Sequence, residues 1–219
     1  MTGRGADGDV TVSRRRRQTD EVAELLHRVT LQKPPTLGGR RLVCVDGRAG
    51  AGKTTLGQAL LRAAGGGHGD DGDDGGARLL HMDDMYEGWD GLGDVSARLE
   101  RDLITPLRAG RAGGYRRFDW HQQRFAEWRT VQPVDLLVLE GVGSGAARYA
   151  DAITTLVWVD APRELRLRRG RERDGDEVLP RWLAWMDSEE ELFARERTRE
   201  RSDVVVDGTG AAEHAVVFA

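Results

Sequence analysis

The chain has 219 residues, 39% hydrophobic and 32% charged, with a formal net charge of −4. That length suits one α/β domain with a real core, and the acidic balance argues against a general polyanion-binding role. No run approaches the roughly 18 apolar residues of a membrane span, no apolar segment follows Arg14–Arg17 as a signal peptide requires, and one cysteine, Cys44, points to a cytoplasmic setting.

Residues 1–19 mix Gly, Asp, Thr and Arg with little that packs, so they are expected as a flexible tail. Lys33 and Lys53 are the only lysines among 33 basic residues, and asparagine is absent. Arginine abundance is therefore a general bias of this chain, and Arg14–Arg17 reads as solvated tail rather than an RNA or lipid contact. Val22, Leu25, Leu26 and Val29 recur at helical spacing and predict a helix from Asp20 to Leu31, with Asp20 as cap. Lys33-Pro34-Pro35 and Gly38-Gly39 break it. Arg41 to Asp46 is a short, apolar, β-rich run of the kind found in buried parallel strands. A helix follows, with Leu56, Ala59, Leu60 and Ala63 on one face.

Residues 65–76 are almost entirely Gly and Asp. If Asp70 opens a calcium loop, Gly72 falls where a ligand belongs, so the EF-hand pattern fails and a solvated loop is expected. Ala77 to Met82 is a second strand, ending at Asp83-Asp84. Val95, Leu99, Leu103 and Leu107 form a helical stripe disturbed near Pro106. Val134 to Leu139 is a third strand ending at Glu140-Gly141, and Ile153 to Val159 a fourth ending at Asp160. An arginine-dense helix covers Arg163 to Arg173. A longer one, Leu179 to about Arg201, sets Trp182, Leu183, Met186 and Phe193 on one side. Asp203 to Val206 is a fifth strand. Alternation of this kind predicts an α/β domain over residues 20–219: a parallel five-stranded sheet covered by helices on both faces, three layers in all. Ligands are then expected beyond the strands' carboxyl ends, where Asp83, Glu140 and Asp160 lie.

Gly47-Arg48-Ala49-Gly50-Ala51-Gly52-Lys53-Thr54 fits G-x-x-x-x-G-K-[ST] between a strand and a helix, with Thr55 next in the chain. Glycines let successive N–H groups turn inward around phosphate oxygens, and the helix N-terminus adds favourable partial charge. Lys53 is placed to reach the β- and γ-phosphates and the Thr54 hydroxyl to ligate Mg²⁺. The motif predicts a P-loop NTPase fold holding ATP and Mg²⁺. A chain without asparagine cannot carry the N-K-x-D guanine-reading motif, which removes a small GTPase.

Taken in order, the P-loop, His81-Met82-Asp83-Asp84-Met85-Tyr86, Tyr115 to Arg124, Leu139-Glu140-Gly141-Val142 and Arg166 to Asp174 resemble the uridine kinase and phosphoribulokinase-like P-loop kinases over about residues 40–208. The resemblance implies that Asp83 is a general base on an acceptor hydroxyl; the residue alone is also readable as a cap of the next helix, a role that suits Asp84 better. It further implies that Tyr86 and a hairpin bearing Tyr115, Phe118, His121 and Arg124 hold a nucleoside. Asp119-Trp120 departs from the family pattern, and the aromatics also suit a core role. Glu140 resembles the family's Mg²⁺-orienting acid. Arg166, Arg169 and Arg173 match lid arginines within about 162–176, with Gly170 replacing a usual Arg. Asp207, Gly208 and Thr209 resemble the loop beside the adenine.

The expected function is ATP-dependent transfer of the γ-phosphate to a hydroxyl of a nucleoside or related small molecule, with no nucleic-acid or membrane partner. A kinase for a sugar, vitamin precursor or antibiotic, or a non-catalytic ATP-binding regulator, are the alternatives.

Overall fold

The computed structural model describes residues 6–66, 76–210 and 216–218. Helix α1 (Ala6–Gln32) begins well before the expected Asp20, so residues 6–19 are helical backbone where a tail was predicted. Val22, Ala23, Leu26 and Thr30 are the described positions it buries. Its last carbonyls are met by one side chain: Arg41 donates through Nε to Thr30 O and through Nη2 to Leu31 O and Lys33 O, each at 3.1 Å. A helix C-terminus needs such donors because its final carbonyls have no intrahelical partner. Side chains 6–16, and with them most of the Arg14–Arg17 run, lie outside the described ones, as do residues 67–75 of the Gly/Asp segment.

Strand β1 (Arg41–Asp46) enters the centre of the sheet, followed by the glycine loop and α2 (Lys53–Ala63). Then come β2 (Ala77–His81), a 3₁₀ turn over Met82–Asp84, and a second over Gly88–Asp90. Helix α3 (Val95–Leu99) passes through a π-turn (Glu100–Ile104) into α4 (Thr105–Arg108). The widened turn sits just ahead of Pro106, which lacks the N–H that an α-helix would give to Asp102 O. The stripe nevertheless holds: Val95, Leu99, Leu103 and Leu107 are all buried.

Strands β3 (Gly113–Asp119) and β4 (Arg124–Val131) form a separate antiparallel hairpin. Then follow β5 (Leu136–Glu140), β6 (Thr155–Asp160), α5 (Arg163–Asp174), α6 (Leu179–Glu196), α7 (Thr198–Arg201), β7 (Val204–Asp207) and β8 (Val216–Phe218). The main sheet has order β2-β5-β1-β6-β7-β8. The first five strands are parallel as expected, while β8 adds a sixth, antiparallel, at the edge. Five strands were predicted because β8 is three residues long, too short to show periodicity.

Alternation along the central strands splits the core in two. Leu42, Cys44, Leu137 and Leu139 face the layer of α3, α4 and α6; Val43, Val45, Leu136 and Val138 face α1 and α2. Strands buried on both faces read as continuous apolar runs, and their last residues, Asp46, His81, Glu140 and Asp160, stand along one sheet edge.

Candidate active site

The glycine loop turns between β1 and α2 with Gly47 at φ 139°, Gly50 at 77° and Gly52 at 111°. These are left-handed values that glycine adopts without a Cβ penalty. At Gly47 a Cβ would also stand 2.3 Å from Val159 O, so the loop is pressed onto β6. No described residue accepts from the N–H groups of Gly50, Gly52, Lys53 or Thr54. Four orphan donors at a helix start form a cradle for an anion. Lys53 is nearly buried, its Nζ donating to Arg48 O at 3.0 Å. The residues fit a bound nucleotide phosphate.

Beside this cradle, the Thr54 hydroxyl donates to Glu140 Oε1 at 3.0 Å, and His81 Nδ1 lies 2.5 Å from the same oxygen. That contact raises the His81 pKa above its ordinary value. Thr54 and Glu140 present the hard oxygen donors that Mg²⁺ prefers. Asp83 follows β2 in the 3₁₀ turn and opens to the same cavity. Water reaches it, yet protein crowds it; desolvation first, then Glu140, raises its carboxyl pKa, opposed by Lys53, Arg173 and His81.

The cavity has a volume of about 750 Å³ and joins Gly50, Gly52, Lys53, Thr54 and Thr55 to Asp83, Tyr86, His121, Glu140, Arg169 and Arg173. Residues expected together from distant parts of the chain thus meet. Asp207 and Gly208 line a second cavity of about 300 Å³ with Gly52, Thr55 and Arg169, walled on one side by Gln18, Thr19 and Val22 of α1. A Cβ on Gly208 would meet Ala51 O at 2.0 Å, so the loop after β7 lies directly on the phosphate loop.

Five expected positions are elsewhere. Arg166, expected in a lid, is 2% exposed under the loop, donating to Glu189 Oε1 at 2.7 Å, to Ala49 O and to Ala161 O. Tyr115, Phe118 and Arg124 of the hairpin do not reach the cavity: Tyr115 faces a separate groove, Phe118 is buried against Trp120 and Phe125, and Arg124 bonds Gln122. Arg48 leaves the loop to pair with Glu190 at 2.7 and 2.6 Å. Arg169 is in the cavity wall but fastens backbone, donating to Gly50 O, Ala51 O and Gly208 O.

Sequence reasoning missed the supports. Glu189 Oε2 accepts from Ala49 N at 2.8 Å, so α6 clamps the loop through one carboxylate. Burial raises the Glu189 pKa, against Ala49 N–H, Lys53 and Arg166. Removing one partner of a buried pair strands the other charge. Arg166→Met is therefore expected to lower the unfolding free energy by about 3–5 kcal/mol, and Arg166→Met with Glu189→Leu to recover most of it, both read from urea denaturation.

Asp46 was legible only as a charged residue closing an apolar strand. Fully buried, it accepts from Gly47 N and Gly143 N on Oδ1, at 2.7 and 2.9 Å, and from Gly145 N on Oδ2 at 2.9 Å. It ties the phosphate loop to the loop after β5. Burial pushes its carboxyl from 3.8 up to about 6, despite these donors and Lys53. In the unfolded chain Asp46 ionises near 3.8, while the fold keeps it protonated to about 6. Stability from this group is present below the lower value and lost as pH rises through the upper, by roughly 3 kcal/mol in order of magnitude. The stability of Asp46→Asn relative to wild type is expected to rise between pH 4 and pH 6 and then level off, by denaturation across that range.

No protein-family model and no curated protein matches the chain. Among solved structures, a possible uridine kinase from Bacillus stearothermophilus is similar at 22% identity and TM-score 0.59, over 86% of this chain and 97% of its own. A chain from Silicibacter sp. TM1040, assigned as a fructose transport system kinase, is similar at 19% identity and TM-score 0.55, over 82% of this chain and 94% of its own. Such likenesses show a shared fold, an α/β sheet with a glycine-rich phosphate loop between its first strand and the next helix.

Proposed function

We propose that this protein is an ATP-dependent small-molecule kinase. The single observation that carries this is the joining, in one cavity, of an orphan-amide cradle with Lys53, the Thr54–Glu140 pair and the Asp83 carboxyl. The cradle binds and Asp83 receives. Free N–H groups and Lys53 hold the donor's phosphates, and Thr54 and Glu140 would hold Mg²⁺, which when bound neutralises charge on the transferring group. The acceptor oxygen forms a bond to the γ-phosphorus, the bond to the β,γ-bridging oxygen breaks, and the hydroxyl proton passes to Asp83. Arg173 adds positive charge beside Asp83 and Glu140.

A nucleoside is one acceptor class, in keeping with the uridine kinase named among the similar structures. Of the residues expected to hold it, Asp83, Tyr86 and His121 line the cavity. ADP release from ATP–Mg²⁺ against nucleosides, sugars and vitamin precursors tests the reading, with Lys53→Ala as blank. Turnover of one class, lost in the blank, supports it; ATP binding without turnover of any acceptor counts against it.

A further inference from the structure

Past Asp83 the cavity runs between the hairpin and α6, and its walls there are indoles. Trp89 is the hub, with ring centroids 5.8 Å from Trp120, 6.4 Å from Trp182 and 6.0 Å from Trp185, all edge-on. Trp89 and Trp120 are half-buried and offer surface to the cavity; Trp182 and Trp185 stand behind, 2% and 6% exposed. Trp120 Nε1 donates to Asp83 O at 2.8 Å, so the aromatic wall is tied to the residue placed as base.

Asp83, Asp84 and His121 share this wall with the indoles, while other polar groups near them are already engaged. The Trp182 indole N–H is spent on Asp174 Oδ2 at 2.8 Å, and the Tyr86 hydroxyl on Val142 O at 2.7 Å. Arg173 pairs with Asp174 and lies 5.6 Å from the Trp182 ring centroid. A polyol laid on the Trp89 and Trp120 faces would exchange water for carbon there, which is costly for each hydroxyl turned towards them. A flat ring gains from edge and face contacts with no polar debt.

Resting on the kinase reading, we propose that the acceptor is an alcohol whose non-reacting part is a flat, mainly apolar aromatic ring, held by Trp89 and Trp120 with its hydroxyl towards Asp83. The test measures ADP release and phosphate-ester formation with ATP–Mg²⁺ for 2-phenylethanol and 2-(indol-3-yl)ethanol against glycerol, fructose, choline and uridine. The same alcohols are titrated by calorimetry against wild type, Trp89→Leu and Trp120→Leu, each variant first checked for a wild-type melting transition. Aromatic alcohols are expected to give the highest kcat/KM, and Trp120→Leu to raise their KM by about tenfold, the order of one lost stacking contact, with the KM for ATP unchanged. Preferential turnover of polyols, choline or uridine, or a wild-type KM in both variants, overturns the aromatic acceptor and leaves the kinase standing. If nothing turns over, calorimetry separates the two ideas. Aromatic binding that weakens in both variants upholds the aromatic chamber while the kinase reading falls; no aromatic binding, or binding unchanged in the variants, overturns the chamber. Should a variant fail to fold, Trp89→Phe and Trp120→Phe replace it, with partial loss expected.

Discussion

Asp83→Asn is expected to slow phosphotransfer by about 10²–10⁴-fold, the usual worth of a positioned general base, while ATP affinity stays near that of wild type. The amide keeps the shape of the side chain but cannot take the acceptor's proton. Neither the orphan amides nor Lys53 depends on the Asp83 carboxyl for a hydrogen bond, which is why binding and turnover should separate. Single-turnover rates with saturating ATP, beside calorimetric ATP titration, check both halves. Full activity in Asp83→Asn removes Asp83 from the chemistry.

Lys53→Ala is expected to act on both quantities. Its ammonium is the one lysine charge at the cradle, nearly buried, and held in place by Arg48 O. Removing a preorganised donor aimed at developing charge costs about 10²–10³-fold in kcat, and the same loss weakens the hold on the phosphates before any reaction. The variant's kcat and its ATP affinity should therefore fall together, where Asp83→Asn moves kcat alone. Unaltered ATP affinity in Lys53→Ala would mean that the nucleotide phosphates bind elsewhere.

The phosphate cradle was legible because its chemistry is local: eight consecutive residues set the turn, the lysine and the hydroxyl. Glu140 and Asp83 were readable as acids at strand ends, since parallel alternation places those ends on one edge. Arg166 was misread because a lid arginine and a buried one look alike at helical spacing. What decides is Glu189, 23 positions on and on another helix. Tyr115, Phe118 and Arg124 were placed wrongly for a related reason: residue type does not say which face of a strand meets a cavity, since successive side chains point to opposite faces. The aromatic wall left one trace, six tryptophans in 219 residues, but no period links Trp89, Trp120, Trp182 and Trp185. Asp46 left less still, since nothing in β1 reveals the three backbone donors that surround it.

The hairpin of β3 and β4 stands outside the six-stranded sheet. It supplies Trp120 and His121 to the cavity and nothing to the glycine loop. On the kinase reading, one part of the acceptor wall therefore comes from a piece of chain separate from the glycine loop, while Trp89, Trp182 and Trp185 come from elsewhere. Exchanging residues 113–131 for a hairpin of other composition is then expected to change that part of the wall and leave the glycine loop in place, so that one face of the proposed acceptor site can vary while the proposed nucleotide site does not.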